Sequence, residues 1–311
     1  MELAVFCGSA NEPLGRAIAE GMGARLGRRT AARFPDGESH VEVLDSVRGR
    51  DVYLVQPTSP PTDENLMELL LLADACRRAG AARITAIVPY LGYARQDRRS
   101  KGREGVGARL VADMLATAGI ERIVCVDLHS SSIEGMSSVP IEHVSAARLI
   151  ADAVAPLASK RSVVVAPDLG AVKLAERYAR YLDLPLAVVH KVRLSGEEVE
   201  VRGIIGDVAG LSPVIVDDMI TTGVTIEAAV GALLRAGCNP APIVAATHAL
   251  LVGDARRRLR ELSVTCIATT DSIAAGPDDT LPMRVIGLGA LLSVVAVRLH
   301  ENKSLADYLG R

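Results

Sequence analysis

The chain has 311 residues, 49% of them hydrophobic and 23% charged, which favours two domains and excludes both a small disulfide-stapled scaffold and wholesale disorder. Its 35 basic and 37 acidic residues leave a formal net charge of −2, so no global field holds a nucleic acid, and no Trp and two Phe leave few platforms for stacking single strands. The five cysteines (Cys7, Cys76, Cys125, Cys238 and Cys266) are dispersed and lack C-x-x-C spacing, which argues against a zinc site and fits reduced buried thiols.

The start, MELAVFCGSA, lacks a basic segment, and no apolar run approaches the ~18 residues needed to span a bilayer, so a cytoplasmic protein without a membrane partner is expected. Short β-rich runs then recur at 51–56, 83–88, 122–127, 162–166, 186–190, 213–218, 243–248 and 264–269. They read as strands buried on both faces. Between them lie amphipathic stretches at 63–80, 107–119, 171–182 and 225–237, several closed by Gly. This alternation predicts an α/β protein of βαβ units on mainly parallel sheets flanked by helices, with function at the carboxyl ends of the strands. The rhythm of elements divides the chain into residues 1–145 and 146–288, with a last helix in 289–311 returning to the first domain.

The sharpest motif is PVIVDDMITTGVTIEAA: a buried strand, two acids at its end, a Thr/Gly loop and a helix. Backbone N–H groups at a helix start lack intrahelical partners and carry the positive end of the dipole, so Thr222, Gly223, Val224 and Thr225 can wrap a phosphate. Asp217 and Asp218 would then face a sugar, accepting from vicinal hydroxyls or organising hydrated Mg²⁺. The same residues also suit an ordinary capping loop.

In YLGYARQDRR, Arg95, Arg98 and Arg99 place forked cations in a loop after a strand, suited to polyphosphate oxygens or simply to solvent. FPDGES puts Phe34 beside the turn-forming Asp36-Gly37, where a ring can stack on a purine or half-bury at a β-turn. VDLHS places Asp127 and His129 at a strand end. In HKVRLSGEEVEVRG (190–203), Lys191 and Arg193 share one side of an extended chain and can reach one phosphate together, or form a solvated hairpin.

These segments, together with SVRGRDVYLVQPTSPPTDENLMELLLLADACRRAGA (46–81), resemble in order the ribose-phosphate pyrophosphokinase family, with coverage from about 30 to the final SLADYL. The DD…TTG-x-T loop is similar to the ribose-phosphate loop of the phosphoribosyltransferase fold. The resemblance implies two phosphoribosyltransferase-like domains, the first with ATP-binding motifs and the second with the ribose 5-phosphate and catalytic loops. It also implies a transferase of nucleotide biosynthesis that joins the diphosphoryl group of ATP to ribose 5-phosphate, giving phosphoribosyl pyrophosphate and AMP.

Carried over by residue, Phe34, Asp36, Gly37, Glu38, Arg95, Gln96 and Arg98 bind ATP. Lys191 and Arg193 are catalytic, Arg193 also reaching ribose 5-phosphate with Asp217, Asp218, Thr221, Thr222, Gly223, Val224 and Thr225, while His129 and Asp168 serve a Mg²⁺ site. A homo-oligomer with the ATP site shared between subunits is implied. The common family loop reads D-D-x-x-D-T-A-G-T; here Thr221 replaces the third acid and Val224 stands where Gly is usual. Because a β-branched residue resists positive φ, a left-handed turn in this loop would have to fall on Gly223. A phosphoribosyltransferase would need neither the FPDGE nor the RQDR segment, whereas a non-catalytic regulatory homologue would draw its support from the altered loop.

Overall fold

The computed structural model describes residues 1–193, 199–274, 276 and 281–310, with the backbone alone at 191–193 and 199–202. The chain divides into two compact units: Met1–Ser145 with Ser272–Ala274 and Gly287–Arg311, and Ala146–Asp271 with Ala275–Ile286.

The first unit opens with β1 (Leu3–Cys7), α1 (Glu12–Gly21) and an antiparallel hairpin of β2 (Arg29–Arg33) and β3 (Ser39–Val43). It continues through β4 (Asp51–Val55), α2 (Thr62–Arg78), β5 (Arg83–Val88), α3 (Gly107–Ala118), β6 (Arg122–Val126) and β7 (Ile141–Val144). The main sheet runs β1-β4-β5-β6-β7, all parallel, so strands are added on one side only. Leu66, Leu69, Leu72, Ala73 and Cys76 form the buried stripe of α2, and each large side chain removed from water contributes roughly 2 kcal/mol. Asp63 and Glu64 lie in its first turn and Arg77 and Arg78 in its last, both matched to the helix dipole.

The second unit contains α4 (Ala147–Val154), β8 (Ser162–Ala166), α5 (Val172–Leu182), β9 (Leu186–Arg193) and β10 (Val199–Ile205). It goes on through β11 (Ser212–Ile220), α6 (Val224–Arg235), β12 (Ile243–Ala249), α7 (Ala255–Glu261), β13 (Cys266–Thr270) and β14 (Met283–Ile286). Its sheet order is β10-β9-β8-β11-β12-β13-β14, parallel except for β10. From β8 the chain first adds β9 and β10 on one side and then crosses to β11 on the other. The order therefore reverses between β8 and β11, and loops leaving their carboxyl ends diverge to make a crevice. Val163, Val165, Ile215, Val244 and Ile267 of the sheet pack with Ile226, Leu233 and Leu259 as the core.

The last helix, α8 (Gly289–His300), belongs to the first unit and packs on α1 so tightly that a Cβ at Gly289 would stand 2.8 Å from the Ala17 Cβ. Its final residue, His300, reaches the fully buried Asp51 at 2.7 Å; Arg83 holds the same carboxylate through Nε at 2.8 Å and Nη2 at 2.5 Å. Burial raises the Asp51 carboxyl, but hydrogen bonds from Arg83 and His300 outweigh it and hold the group below its ordinary value.

All eight expected strands are present, and the α/β class of two domains with helix-flanked, mainly parallel sheets is the one observed. The strand expected at 186–190 continues through Lys191 to Arg193, because β10 pairs with it there: Lys191 opposite Val201 and Arg193 opposite Val199. Elements without a sequence signal include α1, whose EPLGRAIAEG holds a Pro and two Gly, and the largely exposed β2 and β3.

Candidate active site

The crevice between β8 and β11 collects three carboxylates. Asp168, just past β8, accepts from the Gly170 and Ala171 amides at 2.9 and 3.2 Å and caps the turn that starts α5. Asp217 and Asp218 lie inside the last part of β11, which runs past the expected end at 218 to Ile220 because Met219 and Ile220 still pair with His248 and Ala249 of β12; the Asp218 amide donates to Asp217 Oδ1 at 2.9 Å. Partial burial, then the charges of Asp218 and Asp168, push the Asp217 carboxyl well above its ordinary range. Carboxylates gathered in a crevice suit a ligand that supplies hydroxyl donors or a cation.

Beside them, β11 leads into Thr221–Gly223 and α6. Gly223 has φ 78° and ψ −7°, the left-handed conformation, while Val224 is the first helical residue. The left-handed turn thus falls on Gly223, and Val224 keeps a conformation a β-branched residue accepts. The N-cap residue of α6 is Gly223, which brings no side chain of its own to the first amides, and Thr222 is exposed beside them. The loop is clamped from behind: Leu250 and Leu251 amides donate to the Ile220 carbonyl at 2.9 and 3.1 Å, and the Val252 amide to that of Thr221 at 3.0 Å. Val224 and Thr225 are half-buried in the first turn. Backbone hydrogen bonds thus hold the loop in a shape that can cradle an anion, with acids one step away.

The remaining described site residues lie in the first unit, at the carboxyl end of its sheet. The β2–β3 tip is closed by Phe34 N–H to the Glu38 carbonyl and Gly37 N–H to the Phe34 carbonyl, both 2.9 Å, with Gly37 at φ 94° and Asp36 Oδ1 accepting the Glu38 amide. Phe34 remains 48% exposed and meets His40 edge-on, ring centres 5.2 Å apart. Next to the tip, Arg33 at the end of β2 pairs with Glu64 at 2.5 Å. Arg95, Gln96 and Arg98 are exposed in the loop after β5, whose start is fixed by the Tyr93 hydroxyl on Asp63 and by the Gln96 carbonyl accepting the Ala108 amide. Hairpin and loop therefore flank the same first turn of α2.

His129, exposed after β6, follows a turn in which buried Asp127 adopts φ 37° and accepts from Ser145 Oγ at 2.9 Å. The Leu128 amide donates to His143 Nε2 at 2.9 Å, and His143 Nδ1 faces Glu134 at 3.2 Å. Since β5 and β6 are neighbours, the Arg95–Arg98 loop and His129 leave the same sheet end. His143, Ser145 and Glu134 carried no signal, being scattered polar residues whose role depends on the tertiary turn.

Lys191 and Arg193 are placed by their backbones on β9; their side chains lie outside the described residues, as does the tip at 194–198. Of the expected metal residues, His129 belongs to the first unit and Asp168 to the second. Among the described residues no group of three or more His, Cys, Asp or Glu is arranged to hold a metal ion. Carboxylate oxygen at Asp168 nonetheless fits Mg²⁺, which keeps waters and takes phosphate oxygens rather than requiring an all-protein cage.

A parallel sheet with carboxylates and a Thr/Gly anion loop at its reversal point defines the phosphoribosyltransferase class of fold. Residues 140–279 match the family model for the phosphoribosyl transferase domain, and residues 3–119 that for the N-terminal domain of ribose phosphate pyrophosphokinase. A ribose-phosphate pyrophosphokinase of Gloeobacter violaceus is 42% identical over 307 residues, covering 98% of this chain and 92% of its own. The chloroplastic enzyme 1 of that name from Oryza sativa is 42% identical, covering 97% and 77%. The crystal structure of phosphoribosylpyrophosphate synthetase from Mycobacterium smegmatis superposes with a TM-score of 0.91 at 38% identity, over 97% of this chain and all of that one. The chain belongs to the ribose-phosphate pyrophosphokinase family.

Proposed function

We propose that the protein is a ribose-phosphate diphosphokinase of nucleotide biosynthesis, transferring the β,γ-diphosphoryl group of ATP to the C1 hydroxyl of ribose 5-phosphate. The observation that carries this reading is the meeting, at one sheet reversal, of Asp217 and Asp218 with a helix start whose N-cap is the left-handed Gly223. The loop amides and the hydroxyls of Thr222 and Thr225 take the 5-phosphate, and Asp217 and Asp218 accept from the sugar hydroxyls. Thr221 is neutral, which removes one negative charge from a site that receives a dianion.

Arg95, Gln96 and Arg98 hold the polyphosphate, and Phe34, with Asp36, Gly37 and Glu38, takes the adenine. In the transfer, the C1 oxygen bonds to the β-phosphorus and loses its proton to solvent or to a base. The bond from that phosphorus to the α-bridging oxygen breaks, and AMP leaves with the electron pair. Lys191 and Arg193 neutralise charge as it builds on the transferred group. Mg²⁺ bound with ATP, beside Asp168 and His129, would supply further neutralisation of phosphate oxygens.

The proposal includes a homo-oligomer in which the Phe34 hairpin of one subunit completes the ATP site of another. It also includes a cytoplasmic location; among the described residues no helix is long and apolar enough to cross a membrane. The test is direct: purified chain, ATP, Mg²⁺ and ribose 5-phosphate, with AMP and the pyrophosphorylated sugar quantified. Product formation from ribose 5-phosphate, with equimolar AMP, is expected. Nucleotide binding without sugar-phosphate binding would instead indicate a regulatory homologue.

A further inference from the structure

Glu227 lies in the first turn of α6, the helix whose start forms the anion cradle, and its amide makes the first intrahelical bond to the Gly223 carbonyl at 2.9 Å. The positive end of a helix dipole welcomes one anion there. A carboxylate in that turn therefore competes with a phosphate dianion bound at the same end, and the two repel. Glu227 is answered from the next helix: Arg258 of α7 donates through Nη1 to Glu227 Oε2 at 2.5 Å. The neighbouring cation, Arg257, is occupied on its own helix by Asp254 at 3.0 Å and Glu261 at 3.1 Å.

Arg258 also stands directly behind the turn. A Cβ built on Gly223 would lie 3.7 Å from the Arg258 Cβ and 3.6 Å from the Ala255 Cα. Its Nε is buried and has no hydrogen-bond partner among the described residues. A guanidinium used as a staple is normally saturated on both edges. Arg258 is held by one carboxylate and leaves an unused donor in the wall of the phosphate loop.

We propose that Arg258 is a positioning residue for ribose 5-phosphate: it neutralises Glu227, so that the first turn of α6 can accept a dianion. The inference rests on the sugar-phosphate reading of this loop. Shielding and stapling differ in sign. If the pair merely holds α6 to α7, losing either partner damages the loop. If Arg258 shields, losing it exposes a carboxylate to the substrate, whereas losing Glu227 removes the need for the shield.

The experiment measures KM for ribose 5-phosphate, KM for ATP and kcat in the full chain and in Arg258→Met, Arg258→Lys, Glu227→Gln and the Arg258→Met/Glu227→Gln pair, at low and high salt. Arg258→Met should raise the sugar-phosphate KM roughly three- to tenfold at low ionic strength, less at high salt, with ATP KM and kcat within about twofold of wild type. Arg258→Lys and Glu227→Gln should leave that KM unchanged or lower it, and the double variant should recover it. A raised KM in Glu227→Gln overturns the shield, and so does a double variant no better than Arg258→Met. Glu227→Gln alone decides the sign if Arg258→Met does not fold. Absence of turnover in the wild-type chain would overturn the underlying functional reading, a result separable from the pattern among variants.

Discussion

Gly223→Ala isolates the turn on which the sugar-phosphate loop depends. Space is not the obstacle, since the nearest atom to an added Cβ is the Ala255 Cα at 3.6 Å, an ordinary contact. Conformation is: Gly223 sits at φ 78°, where an L side chain costs about 1–2 kcal/mol. Ala also restricts the unfolded chain, which returns about 0.4–1 kcal/mol. The net loss is roughly 0–1.6 kcal/mol, or up to about 6 °C in Tm at roughly 2–4 °C per kcal/mol.

A loop relaxing to escape that strain misaligns its amides, so KM for ribose 5-phosphate should rise while KM for ATP holds. Adding Val224→Gly lets the turn move one residue on, restoring the Ala-Gly order of the common family loop, and should recover both stability and KM. Thermal melts and initial rates on the three variants provide the assay. If Gly223→Ala melts like wild type and uses the sugar normally, the turn is not what shapes this loop.

Lys191→Ala should lower kcat by about two to three decades with little change in ATP binding; near-normal turnover would remove Lys191 from the catalytic machinery. Asp217 binds its proton more readily folded than unfolded, so its contribution to stability is greatest below the unfolded value near 3.8 and is lost as pH rises through the raised folded value. Asp217→Asn should therefore melt above wild type at pH 7, the gap closing toward pH 4, while sugar use falls; a lower melting temperature at pH 7 would contradict the burial argument. Arg83→Met leaves Asp51 buried and short of its main partner, and should destabilise the first unit by roughly 3 kcal/mol in denaturant titrations at neutral pH. Mixing Phe34→Ala with Lys191→Ala protein should restore part of the activity through hybrid sites; no recovery despite verified subunit exchange would count against a shared ATP site.

Much of this was legible in the chain because buried parallel strands announce themselves. DVYLV, SVVVA and SPVIVDD are apolar on both faces, and acids or Thr/Gly at their ends break that pattern where function lies. The position of the left-handed turn was also readable, since Val224 disfavours positive φ and Gly223 does not. Strand order was not: nothing local says that β11 lies beside β8 rather than β9, and that non-local choice brings Asp168 to Asp217. Nor could spacing show Arg258 meeting Glu227 across 31 positions, or His143 accepting the Leu128 amide, because each contact exists only once the intervening chain has closed back on the sheet. The hairpin that carries Phe34 was hidden for another reason: its strands bury little, so period-two hydrophobicity is weak there.

The most direct measurement is calorimetric titration of the wild-type chain with ribose 5-phosphate, alone and with Mg²⁺ and a non-hydrolysable ATP analogue, run beside product analysis with ATP. Saturable sugar-phosphate binding that Asp218→Asn and Thr225→Val weaken, together with AMP and phosphoribosyl pyrophosphate in equal amounts, is the expected result. Nucleotide binding with no sugar-phosphate binding under any condition, and no pyrophosphorylated sugar, would contradict a catalytic site at the crevice between β8 and β11.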